Sequence, residues 1–186
     1  MGVDIHMYVQ TKARKDADWQ LHQGHDKIDD ETGELRELSS ATKWTTMFGE
    51  LAGVRSFKDG ISNNRGLPDD APDIIKGYVS EKDGFNNGWK YHTPGWCTLR
   101  ELETACLRAM KDQDSRATLK AYIASSDDMT LFYDYRTIPS DDWSSYDSII
   151  RWGRDWIWAT KLENTLAGVK TDLNKPQIRF LFYFDS

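Results

Sequence analysis

The sequence predicts a single α+β domain, a small sheet containing the N- and C-terminal strands packed against several helices. Three observations carry this. Both ends of the chain alternate strictly in polarity, and several interior stretches repeat apolar residues at helical spacing. No internal repeat, low-complexity tract or long linker divides the 186 residues. One domain therefore spans 1–186, with an irregular extension around 22–42.

Val3, Ile5, Met7 and Val9 fall on one face of the first strand, and Asp4, His6, Tyr8 and Gln10 on the other. That is the pattern of a half-buried strand. Trp19-Gln20-Leu21-His22 returns as the second arm of a hairpin. Asp26 to Glu37 is acidic and turn-rich, a loop or ragged extension. Trp44, Met47, Phe48, Leu51 and Val54 make a helical stripe. The loop Gly60 to Pro68 leads to Asp69 or Asp70, either of which can cap a short helix through Ile74, Ile75 and Tyr78. Lys82 to Gly95, rich in Gly, Asn and aromatics, reads as another loop.

Thr98-Leu99-Arg100-Glu101 fits a capping box, with Cys97 placed to pack on Leu102 as a staple. Leu99, Leu102, Cys106 and Met110 form the buried stripe of that helix. A further helix covers Ser115 to Ala124. Tyr146 to Val169 is the longest, with Gly153 a point of interruption, and Ile149, Trp152 and Trp156 share one face. Lys170 to Pro176 ends it. The last strand alternates Ile178, Phe180, Phe182 and Phe184 with Arg179, Leu181, Tyr183 and Asp185. The two terminal strands are expected to be sheet neighbours.

Composition narrows the function. Apolar residues make up 39%, enough for a core, and the net charge is −6 with pI near 5.2. Non-specific attraction to nucleic acid or an anionic membrane is thus not expected. No stretch approaches the run of about 18 apolar residues that a membrane-spanning helix needs. The first residues lack signal-peptide character. Two cysteines, Cys97 and Cys106, make no disulfide framework, so a reducing, cytoplasmic setting is expected.

Several residues could carry chemistry. Asp4 and His6, two apart on a strand, share a face and offer a hard oxygen and a borderline nitrogen, the beginning of a metal site. The bland alternative is a polar network in which Asp4 orients His6, or either pairs with Arg179. His22, His25 and Asp26 read as a solvated hairpin tip. His92 precedes the cap at Thr98, where free helix N–H groups could seat an anion. In Asn63-Asn64-Arg65-Gly66-Leu67-Pro68, Arg65 could fork onto a phosphate, or pair with Asp69 or Asp70 in an ordinary turn. Neither a P-loop nor a dinucleotide-binding glycine pattern occurs. Of the eight Trp, Trp44, Trp152 and Trp156 sit at core spacing, while Trp89, Tyr91 and Trp96 read as loop platforms for a flat ring. No Ser or Cys nucleophile has a readable partner.

Met1-Gly2-Val3-Asp4-Ile5-His6-Met7-Tyr8-Val9, Phe48 with Leu51-Ala52-Gly53-Val54-Arg55, and Ile61-Ser62 leading to Arg65-Gly66-Leu67-Pro68-Asp69-Asp70 form an ordered set. His92 through Trp96-Cys97-Thr98-Leu99-Arg100-Glu101-Leu102 and the closing Ile178 to Asp185 complete it. In that order the chain resembles a widespread family of small bacteriophage and prophage proteins. Members often have Cys at the place of Val3 and prolines at those of Asn63 and Asn64. The resemblance implies the cytoplasm of an infected bacterium and no established chemistry.

The expectation that follows is a phage-encoded small-molecule-binding protein without a cofactor. It would take a phosphorylated or nucleotide-like ligand, sequestering a signal of bacterial anti-phage defence. Arg65, Arg179 and Thr98 would hold phosphates, with His92 on the approach to that seat, Trp89, Tyr91 or Trp96 would stack on a base, and Asp4 and His6 would orient a sugar or base edge. One alternative is a metal-dependent phosphoester hydrolase, with Asp4, His6, His92 and Asp185 gathering a divalent ion. A third is an inhibitor of a host protein. Homo-oligomerisation stays open.

Overall fold

The computed structural model describes residues 4–22, 26–31, 33–37, 45–62, 65–80, 91–110, 113–125, 144–168 and 177–185. Strands β1 (Asp4–Lys12), β2 (Gln20–Leu21), β3 (Tyr91–Thr98) and β4 (Gln177–Asp185) form an antiparallel sheet in the order β2-β1-β4-β3. The helices are α1 (Thr45–Ala52), α2 (Asp73–Ser80), α3 (Leu99–Ala109), α4 (Gln113–Ser125) and α5 (Ser144–Leu166). This is the expected α+β domain. The two terminal strands pair along their full length, Asp4 opposite Asp185 and Lys12 opposite Gln177.

Register fixes the two faces of the sheet. Ile5, Met7 and Val9 stand opposite Phe184, Phe182 and Phe180, all buried. Met47, Phe48 and Leu51 of α1, Leu102 and Cys106 of α3, Leu119 of α4 and Ile150 of α5 close over them. Each of these phenylalanines contributes roughly 1.5–3 kcal/mol by leaving water. Glu103 of α3, itself buried, pairs with Arg154 of α5 and ties the two helices.

The opposite face departs from the half-buried expectation. Tyr8, Gln10, Leu181 and Tyr183 are buried too. A second, smaller core of Leu35, Ala71, Ile75 and Val79 covers them. The cover consists of α2 and the extension 26–37, which an Ile28–Leu35 bridge folds back on itself. Antiparallel sheets commonly leave such a face wet; here two short segments dry its centre and leave its ends polar.

Two local readings are corrected. Residues 91–95, expected as the end of a loop, belong to strand β3, with a bulge between His92 and Gly95 and Thr93 at φ 50°. The bulge inserts one residue, so the strand keeps its pairing with β4 on both sides of it. Helix α5 runs through Gly153 without a break, because that glycine packs close to Leu99 and Ile178 where a larger side chain would crowd. Leu166 is exposed at the end of α5. Asn63, Asn64, Lys82 to Lys90, Trp44, His25 and Lys170 to Pro176 lie outside the described residues.

Candidate functional site

Gln10, Arg179 and Thr98 stand side by side on β1, β4 and β3, on the face opposite the main core. Trp96, two residues before Thr98, shares that face because side chains alternate along a strand. Trp19 approaches from just before β2, and Arg65 from the loop ahead of α2. Together they form a row in which cations and aromatic rings alternate. The Arg65 guanidinium carbon lies 4.5 Å from the Trp96 ring centre. That of Arg179 lies 6.0 Å from Trp96 and 4.3 Å from Trp19. Lys12 Nζ lies 4.9 Å from Trp19. Each such contact is worth about 0.5–1 kcal/mol where water reaches it.

Carboxylates hold both arginines in place. Arg65 donates from Nη2 to Glu101 Oε1 (2.8 Å) and from Nη1 to Glu101 Oε2 (3.0 Å), and also to the Trp96 carbonyl (3.2 Å). Arg179 donates to Gln10 Oε1 (2.8 Å) and to Asp70 Oδ1 (2.7 Å). The Glu101 bond raises the Arg65 pKa, whereas burial pulls that of Arg179 down against the pull of Asp70. Arg65 was expected to pair with Asp69 or Asp70 if it sat in an ordinary turn. Glu101 takes that place, and Asp70 serves Arg179 instead.

The start of α3 follows the sequence reading, with a consequence for anion binding. Thr98 Oγ1 accepts from the Glu101 N–H, and Glu101 Oε2 accepts from the Thr98 N–H at 2.8 Å. Burial raises the Glu101 pKa, but the bonds from Arg65 and Thr98 outweigh it and hold the carboxyl below its ordinary value. A carboxylate of the chain itself thus sits where an anion was expected to dock at Thr98.

A second cluster occupies the other end of the same face. His6 stands opposite Tyr183, and their rings stack at 4.7 Å and 19°. His6 Nδ1 meets Glu37 Oε1 at 2.6 Å, and Nε2 faces Asp185 Oδ2 at 3.4 Å. The Tyr8 hydroxyl donates to Glu37 Oε1 (3.2 Å) and lies 3.2 Å from the Tyr183 hydroxyl. Asp185 also accepts from the Asp4 N–H. Burial lowers the His6 pKa, yet the bonds and charges of Glu37 and Asp185 together raise it above the ordinary value. Burial pushes the Tyr8 hydroxyl far up, so it stays protonated. A carboxylate facing each ring nitrogen favours the protonated form of His6.

The four residues considered for a metal ion are not gathered. Asp4, His6 and Asp185 meet at one corner, but His92 stands opposite Phe184 and stacks on it at 6.0 Å, on the other face. Its Nδ1 lies 2.9 Å from Thr93 Oγ1, and burial lowers its pKa. Among the described residues no group of three or more His, Cys, Asp or Glu is set to hold a metal. Asp4 and His6 do not pair with Arg179, which stands at the far end of the strand pair.

Trp96 is a strand residue packed partly against the second core, rather than a loop platform. Trp89 lies outside the described residues, and of Tyr91 the structure describes the backbone, paired with Asp185. His22, read as part of a solvated tip, sets its ring edge-on to Trp152 at 4.5 Å. The sequence reading missed Trp19, Gln10, Glu37, Tyr8 and Tyr183 as site residues. Tyr8 and Tyr183 were legible in principle, since the alternation puts them on the His6 face. Nothing local marked Trp19 or Glu37. No family model, curated protein or solved structure matches the chain.

Proposed function

We propose that the protein binds a small planar anion of the nucleotide class on the polar face of its sheet and holds it without chemical change. The observation that supports this is the alternation of Arg65, Trp96, Arg179, Trp19 and Lys12 along one row. Among the described residues three cations meet two carboxylates there, Glu101 and Asp70, in a chain whose net charge is −6. Trp19 and Trp96 are half-buried, so each keeps surface on which a base can stack, at about 1–3 kcal/mol per base. Glu101 and Asp70 fix the arginines beforehand, which lowers the entropic cost of binding. Among the described residues Lys12 is the cation of the row without a carboxylate, and it takes the phosphate. The resemblance to phage proteins supports the finer reading, sequestration of a nucleotide-type signal of host defence.

The test incubates the full chain with cyclic oligonucleotides and ADP-ribose derivatives, removes free ligand, denatures the protein and identifies what is released by mass spectrometry. An intact ligand, lost in Trp19→Leu and Lys12→Gln while the fold persists, is the expected result. A chemically altered ligand would replace binding by catalysis. Nothing retained, or retention untouched by both substitutions, would remove this site.

A further inference from the structure

The loop after α1, whose end at Ile61 and Ser62 bonds to Arg65, is built with unusual constraint. Gly53 and Arg55 both take positive φ, 72° and 54°, and a side chain at Gly60 would collide with the backbone of Gly53 and Ala52. The loop returns onto the helix it leaves: Ile61 N–H donates to Glu50 O (3.0 Å), and Ser62 bonds Leu51 O through both its N–H (2.8 Å) and its hydroxyl (2.7 Å). Such a non-glycine left-handed residue is strained and persists only where the surroundings hold it. What the loop presents at its tip is Phe57, fully exposed.

Beside it lies a cleft of about 380 Å³, lined among the described residues by Glu50, Lys58, Asp59, Arg108 and Arg116 in addition to small residues. α1, the loop, α3 and α4 each contribute to it. Lys58, Arg108 and Arg116 take part in no salt bridge among the described residues. Three cations against two carboxylates, Glu50 and Asp59, leave the cleft beside Phe57 net positive, which is complementary to carboxylates around an apolar socket. The chain as a whole is acidic, so this local island, not the overall field, is what can attract an acidic surface.

We propose that Phe57 and the adjoining cleft form a docking surface for an acidic protein partner, which covers Phe57 and sets carboxylates against Lys58, Arg108 and Arg116. A rigidly carried aromatic anchor with charges at its rim is the usual build of an energetic hot spot. The surface is separate from the nucleotide row, and either assignment can fail alone.

The experiment selects binders to the full-length protein from a displayed library of random peptides. Enriched sequences rich in Asp and Glu around a bulky apolar residue are expected. Phe57→Ser should weaken them at least about tenfold, and Arg108→Gln with Arg116→Gln should do so as well. Both sets of side chains are exposed, and unchanged melting temperatures will show that the fold is intact. Nucleotide retention by Phe57→Ser should equal that of the parent protein. Neutral or basic peptides, no enrichment, or binding indifferent to Phe57→Ser would overturn the proposal. Self-association in sedimentation that Phe57→Ser abolishes would assign the surface to a second copy and overturn it equally.

Discussion

Arg65 and Glu101, 36 positions apart, meet in a two-pronged ion pair while the same carboxylate caps helix α3. One side chain thereby joins the loop ahead of α2 to the strand-to-helix junction of β3 and α3. Its removal undoes a cap and a fork together. Glu101→Ala is expected to cost about 2 kcal/mol in urea unfolding. Arg65→Lys should cost less but still measurably, since an ammonium cannot make the paired bonds. The Glu101 pKa lies below the ordinary value in the folded state. Its stabilising contribution is therefore full above the ordinary carboxylate range and is lost as pH falls through the folded value.

The two strand histidines should tilt the pH dependence in opposite senses. His6 has its pKa raised by folding, so its contribution is complete below the unfolded value of 6.5 and is lost as pH rises through the folded one. His92 has its pKa lowered, so the unfolded chain takes up its proton first and stability falls as pH drops below 6.5. His6→Gln should flatten the stability curve above 6.5, and His92→Gln below it. Denaturant midpoints across that range, with imidazole titration by NMR, will decide. The same slope in both variants and the parent would contradict the assignment.

Glycines of β3 and α2 should respond to alanine with opposite signs. At Gly95 a Cβ would come 2.9 Å from the Phe182 ring, which is wholly buried and has nowhere to move. Gly95→Ala is expected to destabilise by about 1–3 kcal/mol. Gly77 lies inside α2, and a Cβ there would meet nothing within 4 Å. Gly77→Ala should stabilise by about 0.5–1 kcal/mol through the entropy of the unfolded chain. Thermal melts of the two variants provide the check.

Arg179 is buried while its partner Asp70 is 56% exposed on the side chain. Arg179→Leu would leave Asp70 to water but strip the buried Gln10 oxygen of a donor, at a cost of about 1–3 kcal/mol. The double variant Gln10→Leu/Arg179→Leu should recover part of that loss, because neither apolar side chain then faces a stranded polar group. A double-mutant cycle measures the coupling.

Strands β1, β2 and β4, the alternation of β1 and β4 and the capping box at Thr98 were legible in the sequence because each depends on local periodicity or on spacing within one turn, whereas β3 and the burial of the second face depend on long-range pairing and packing. Ile5, Met7 and Val9 against Phe180, Phe182 and Phe184 need only the two-residue repeat of a pleated strand. Leu99, Leu102, Cys106 and Met110 need only the helical one. What tertiary structure alone decided is where the polar groups of the second face find partners. Glu37 reaches His6, Asp70 reaches Arg179 and Glu101 reaches Arg65 across separations that no short-range pattern encodes. The residues themselves were visible, but an arginine reads the same whether it awaits a ligand or already holds a carboxylate. Folding settled that question, because a side chain taken partly out of water must satisfy its charge with whichever group the packing of α2 and the 26–37 extension brings within reach.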